Sequence, residues 1–289
     1  MKYIFIINSY TVGNKINVIK ENIIKYCNFN NLEYVIEINN DNYNTEEIIN
    51  KYKKDKNIII SVGGDGMLNK VLNLIIDTDN ILSFIPCGTG NDFYRSVKLQ
   101  CNNGINDIDL IKINDKYFIN VACFGIDADI ANDKGVSSNN IILKKYKYII
   151  SLLKNFYKYK PKEFTININS EKINTNFTTI ALCNGMYYGR GFNIGPYSQI
   201  NNGLIDVYLV KELDKIKMLK LILKMKKGKH EESKYVEKYN VKNLIIKSKN
   251  KVNINIDGES LEGDMFKIKV LEKKIKFYYN QEMIDKILK

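Results

Sequence analysis

The chain has 289 residues, 45% hydrophobic and 26% charged, the balance of a folded protein long enough for two hydrophobic cores rather than of a disordered one. Its formal net charge of +12 favours polyanionic partners such as nucleic acid, anionic lipid or phosphorylated substrates. Five cysteines without a CxxC pair and a single histidine, His230, argue against a disulfide framework, a Ser-His-Asp triad and a multi-histidine zinc site, so acid–base chemistry falls to carboxylates or lysines.

The N-terminal apolar run is too short for a signal-peptide core, and no run approaches a membrane span. The expectation is a cytoplasmic protein whose membrane contact is peripheral. Residues 3–7 read as a strand, followed by a helical pattern through Ile16, Ile19, Ile23 and Ile24. Residues 34–38 are the next strand, and Thr45 can cap a helix carrying Ile48, Ile49 and Tyr52. The apolar run 57–62 leads into Gly63-Gly64-Asp65-Gly66 and a helix through Leu68, Val71, Leu72 and Ile75, and the run 81–85 ends in Pro86 and a second glycine loop. Apolar strands alternating with amphipathic helices predict an α/β domain with a parallel sheet covered on both faces.

The rhythm changes after about residue 105. Runs 108–113 and 117–124 flank Asn114-Asp115, a hairpin signal. A helix is expected over 140–159, then strands at 164–168, 177–183, 204–210, 244–247, 252–256, 266–271 and 275–279, with a helix at 214–226. This is a β-rich, antiparallel, sandwich-like second domain. The expected division is 1–122 and 123–289, with the extreme C-terminus packing back on the first domain.

Both glycine loops sit at the carboxyl ends of consecutive predicted strands, where open α/β sheets bind ligands. Gly63, Gly64 and Gly66 let backbone N–H groups approach an anion, and the following helix adds its partial positive charge. Asp65 in such a loop would be repelled by phosphate unless a cation intervenes, which suggests Mg²⁺. The second loop, Pro86-Cys87-Gly88-Thr89-Gly90-Asn91-Asp92-Phe93, offers the same device with a hydroxyl and a carboxylate. Neither loop is a Walker A sequence, and there is no GxGxxG fingerprint.

GGDG followed by PxGTGNDFxR resembles the diacylglycerol kinase catalytic domain family, which includes bacterial diacylglycerol and lipid kinases and is related to sphingosine kinases. Further segments match in order: Asn8, with Ser9 in place of a proline; Phe118-Ile119-Asn120-Val121-Ala122 with Gly125-Ile126-Asp127-Ala128; Asn184-Gly185 through Gly189-Arg190-Gly191 and Pro196; and Asp257-Gly258-Glu259. The resemblance implies a two-domain ATP-dependent kinase that phosphorylates a hydroxyl of diacylglycerol or a related membrane lipid, with Mg²⁺ as cofactor. By that analogy Gly63, Gly64, Asp65, Gly66, Met67, Leu68, Asn69, Gly88, Thr89, Asn91 and Asp92 hold the nucleotide. Asp65, Asp257 and Glu259 are the catalytic carboxylates, and the lipid hydroxyl arrives at the interdomain cleft. Asp257 or Glu259 is the natural base, and as alternate strand residues they could share a face. Without the resemblance, Asp257-Gly258 reads as a hairpin turn.

Besides Ser9, three further positions depart from the family pattern. Met67 stands where a threonine is usual and Lys70 where a glutamate is usual. Asn202 replaces an aspartate of a structural Mg²⁺ site whose other positions match Gln199 and the Leu204 carbonyl, so that ion would be weaker or absent. The helix at 214–226 sets Ile216, Leu219, Ile222, Leu223 and Met225 among five lysines; it could lie on an anionic bilayer or be an ordinary packing helix with a solvated lysine face. No nucleic-acid module is present, and a homodimer is compatible with the sequence. The rival readings are an NAD kinase, which shares GGDG, and a lipid- or nucleotide-binding pseudokinase.

Overall fold

A computed structural model describes residues 1–40, 44–125 and 161–289; the helix expected over 140–159 lies outside the described residues. The chain divides into two compact units, Met1–Leu110 with Ile200–Asn202 and Leu271–Lys289, and Ile111–Gln199 with Gly203–Val270. These units divide between Leu110 and Ile111, and the C-terminal segment belongs to the first unit.

The first unit begins β1 (Tyr3–Asn8), α1 (Ser9–Val12), α2 (Ile16–Phe29), β2 (Tyr34–Asn39), α3 (Thr45–Asn50), β3 (Ile58–Gly63), α4 (Asp65–Ile75), β4 (Ile81–Pro86), α5 (Asp92–Gln100) and β5 (Gly104–Ile113). β1 pairs in parallel with β2 and β3, and β3 with β4. The chain therefore leaves β1 towards β2 on one side and returns on the other side as β3. That reversal of strand order is the switch point at which open α/β sheets form a ligand crevice. Every residue of β3 and β4 is buried, as expected for strands covered on both faces, and each buried Ile stabilises by roughly 1.5–3 kcal/mol. α3 is held by a capping box: the Asn44 side chain accepts from the Glu47 N–H, and the Glu47 carboxylate accepts from the Asn44 N–H.

The second unit carries β6 (Lys116–Phe118), β7 (Val121–Gly125), β8 (Lys162–Ile168), β9 (Glu171–Cys183), β10 (Tyr187–Tyr188), β11 (Phe192–Asn193), β12 (Ile205–Lys211), α6 (Lys215–Lys226), β13 (Val236–Val241) and β14 (Asn243–Ile256). The long β15 (Glu259–Tyr279) runs from this unit into the first, and α7 (Gln281–Leu288) closes the chain there. Pairing in this unit is antiparallel. β7 and β8 lie end to end between β9 and β14: Gly125 stands opposite Thr179, and Lys162 opposite Phe177. Two stretches of chain separated by residues 126–161 thus act as one strand.

Several expected boundaries change, each for a physical reason. The run 117–124 is broken at Ile119 and Asn120 because their N–H groups turn to the Asp257 carboxylate. The runs 244–247 and 252–256 are one strand with a register shift between Lys247 and Val252. The runs 266–271 and 275–279 are likewise both part of β15. α1, α5, β10, β11, β13 and α7 were not anticipated; α7 carries only Met283, Ile284 and Ile287 into the core, too short a pattern to read unaided.

Candidate active site

Gly63 at the end of β3 stands opposite Pro86 at the end of β4, so the two glycine loops leave the sheet side by side. The N–H groups of Cys87 and Gly88 both donate to the Gly63 carbonyl, at 2.7 and 3.0 Å. A Cβ on Gly88 would lie 2.6 Å from the Gly64 Cα and 2.9 Å from Asn91 Oδ1, so only glycine fits. Asn91 closes the second loop on itself: Oδ1 accepts from the Gly88 N–H and Nδ2 donates to the Gly88 carbonyl, both at 2.9 Å. Its φ of 53° lies in the left-handed region that asparagine tolerates.

Asp65 fastens the first loop to the second. Its carboxylate accepts from the N–H groups of Asp92 at 3.0 Å and Phe93 at 3.2 Å, the first residues of α5, where negative charge is also favoured by the helix dipole. Burial pushes its carboxyl above the ordinary range, and the backbone donors at Asp92, Phe93 and Asn91 partly offset that. The expectation that both loops offer the same phosphate-binding device is therefore corrected. The N-terminus of α5 is occupied by Asp65. That of α4 has Gly64 as N-cap with no side-chain cap, so its first-turn N–H groups at Gly66 and Met67 have no partner within the helix. Gly66 is exposed, with open space where a side chain would be.

The remaining nucleotide candidates sort by burial. Met67 is buried, its sulfur accepting from the Thr45 hydroxyl at 3.6 Å; in place of the family's threonine it packs into the core. Leu68 and Asn69 are buried as well, so this stretch can meet a ligand mainly through its backbone. Thr89 is exposed, and Asp92 is buried with Arg95 Nε 3.7 Å from its carboxylate. Lys15, on the short turn Gly13–Lys15, was not anticipated. It lies near enough to Cys87 to oppose the effect of burial, which pushes that thiol up to about 11. The missing Walker lysine was the one sequence hint that a cation had to come from elsewhere.

In the second unit, Asp257 and Gly258 are the two turn residues of the β14–β15 hairpin. Their φ values of 48° and 95°, with Ile256 opposite Glu259, suit the Asp-Gly hairpin turn. Asp257 therefore does not share a strand face with Glu259. Its buried carboxylate accepts from the N–H groups of Ile119 at 2.8 Å, Val121 at 2.9 Å and Asn120 at 3.2 Å. The turn and the anchor are one structure. Asn184 Nδ2 donates to the Ile119 carbonyl at 2.7 Å, and Asn120 Nδ2 to that of Tyr187 at 3.0 Å, so these asparagines hold the same segment. Asn120 Oδ1 and Asn255 Nδ2 are buried without a partner among the described residues, marking a polar spot beside the turn. Glu259 is exposed.

Gln199, Asn202 and the Leu204 carbonyl bring no negative charge, and no group of three or more His, Cys, Asp or Glu that could hold a metal occurs among the described residues. These three residues do not fit a structural Mg²⁺. Nor is any helix among the described residues long and apolar enough to cross a membrane.

Residues 2–121 match the model of the diacylglycerol kinase catalytic domain, and residues 120–277 that of the YegS C-terminal NAD kinase beta sandwich-like domain. A diacylglycerol kinase of Mycobacterium tuberculosis is 28% identical over 71% of each chain. A "Probable lipid kinase YegS-like" of Chromohalobacter salexigens is 24% identical over 72% of this chain and 71% of its own. A crystal structure from Bacillus anthracis superposes with a TM-score of 0.80 at 18% identity, covering 98% of this chain and 96% of that one, which establishes the fold. With the two family models together spanning residues 2–277, the chain belongs to the diacylglycerol kinase catalytic domain family, with an α/β N-terminal unit and a β-rich C-terminal unit.

Proposed function

We propose that this kinase transfers the γ-phosphoryl group of ATP to a hydroxyl of diacylglycerol or a closely related membrane lipid. The observation that carries the reading is the cradle of two glycine loops, fastened by Asp65, with one helix N-terminus left open at Gly66 and Met67. Those N–H groups, with the exposed Thr89 on the second loop and Lys15 acting on neighbouring Cys87, suit the phosphates of a nucleotide. Mg²⁺ would supply charge neutralisation when bound with the nucleotide; it asks for only one or two carboxylates besides phosphates and water, and with Asp65 committed to backbone N–H groups, Asp92 on the second loop is the carboxylate that would hold it. In the second unit Asp257 keeps the 119–121 segment in place. Glu259, exposed and not drawn into that anchor, is the better proton acceptor for the attacking hydroxyl.

The test is ATP consumption with diacylglycerol, monoacylglycerol, phosphatidylglycerol, sphingosine and NAD as separate acceptors. Turnover with diacylglycerol or another lipid, yielding a phosphorylated lipid, is expected. Turnover with NAD alone would favour the NAD-kinase reading, and none with any acceptor would make the chain a pseudokinase.

A further inference from the structure

α6 is apolar on two opposite faces. Met218, Leu221 and Met225 are buried and pack with Val121, Cys123, Ala181, Cys183, Tyr208 and Val210. Ile216, Leu219 and Leu223 recur at the same i, i+3, i+7 spacing about half a turn round the helix, and they are 70%, 43% and 60% exposed. A helix whose only task is to cover a sheet has no use for a second apolar row, since solvent-facing positions are ordinarily polar.

The surroundings of that row say what it meets. At 100° per residue, Lys215 and Lys226 flank it on one side and Lys217, Lys220 and Lys224 on the other. Residues 214–229 hold seven lysines against one aspartate. Asp214 is engaged at the helix start, its carboxylate capping the Lys217 N–H at 2.9 Å and pairing with the Lys217 ammonium. An apolar ridge between two rows of long basic side chains suits an anionic bilayer. The aliphatic residues enter the acyl boundary while the lysines reach up to the phosphates. A second copy of this face would bring seven lysines against seven. Residues 126–160 are themselves basic, with seven lysines and three aspartates. Charge opposes both as occupants.

We propose that Ile216, Leu219 and Leu223 form the membrane-inserting ridge of the protein and dock it on anionic phospholipid. The inference deepens the lipid-kinase reading by naming the surface on which that reading's substrate is met. Its test needs neither ATP nor turnover, so the two can fail separately.

The chain contains no tryptophan, so Leu223→Trp supplies a single indole reporter. With vesicles containing phosphatidylglycerol its emission should shift to the blue and be quenched by brominated acyl chains. Vesicles of phosphatidylcholine alone should give little change. The triple variant Ile216→Ser/Leu219→Ser/Leu223→Ser, its fold checked by thermal unfolding, should lose vesicle partitioning by at least about tenfold. It should still phosphorylate detergent-dispersed lipid if the kinase reading holds. Three results would overturn the proposal. One is no spectral response to anionic vesicles. The second is an emission already blue without vesicles, meaning that the chain itself covers the ridge. The third is a vesicle-independent dimer that the triple variant dissociates.

Discussion

The N-terminal ends of α4 and α5 follow similar glycine loops from adjacent strands, yet only one is available to a ligand. At α5 the first N–H groups are taken by the Asp65 carboxylate; at α4 the N-cap is glycine and supplies no side-chain acceptor. The difference shows that an aspartate inside a glycine loop can serve the loop's construction. Asp65 reaches across to the neighbouring loop and fixes the relative position of both. Asp257 repeats the device in the second unit, where a turn carboxylate gathers three N–H groups of the 119–121 segment. In each unit a residue that motif reasoning assigns to chemistry is bound to backbone.

The comparison is sharpened most by the two carboxylates of the second unit. Glu259→Gln should slow turnover by a factor on the order of 10²–10⁴, the usual range for general acid–base catalysis, with the unfolding temperature unchanged. Asp257→Asn should lower the unfolding temperature as well, because an amide cannot accept from all three N–H groups and hydrogen bonds to a charged group are worth about 1.5–3 kcal/mol each. If Glu259→Gln turns over like the parent while Asp257→Asn is inactive and fully stable, the roles are reversed.

Gly88→Ala comes next. Its Cβ would press on the Gly64 backbone 2.6 Å away, so the loops must separate. A displacement of that order should reduce turnover on the order of 100-fold, and ATP affinity should fall with it. Normal ATP binding by this variant would mean that the contact between the loops is incidental.

Asp65→Asn should be milder, roughly tenfold in turnover, accompanied by lost stability of about 1.5–3 kcal/mol because one of the Asp92 and Phe93 N–H groups would face an amide N–H group. Turnover abolished in a fully stable variant would return Asp65 to the role of a reagent. Smallest of all is Met67→Thr. Restoring the residue usual in the family should not raise turnover beyond about twofold, since the side chain points into the core. It should cost about 1–3 kcal/mol in packing and hydroxyl burial. A large gain in turnover would mean that this side chain faces the phosphates.

The parts of the fold legible in the sequence were those whose cause is local. Strands β1 to β4 are short, largely apolar runs, and the glycine loops after β3 and β4 announce close backbone approach. The Asn114-Asp115 turn was legible for the same reason, with Asn114 at φ 50°. The partners of Asp65 and Asp257 were not legible, because they are backbone N–H groups far away in sequence, and any residue type supplies such a group. The double face of α6 was half legible. Ile216, Leu219, Ile222, Leu223 and Met225 could be named in advance, but the buried Met218 and Leu221 could not, because which row is buried depends on the sheet beneath it. β15 read as two strands because Glu272-Lys273-Lys274 interrupts the apolar pattern. Here the Lys273 N–H is held by Asp109 Oδ1 at 2.7 Å, a partner no local pattern reveals.

The claim that α4 seats the phosphates while α5 is already closed is tested most directly by backbone amide exchange with and without ATP and Mg²⁺. In the free protein the Asp92 and Phe93 amides should be protected and those of Gly66 and Met67 should exchange fast. Nucleotide should protect Gly66 and Met67 and leave Asp92 and Phe93 as they were. New protection at Asp92 and Phe93, with Gly66 and Met67 unchanged, would contradict the account.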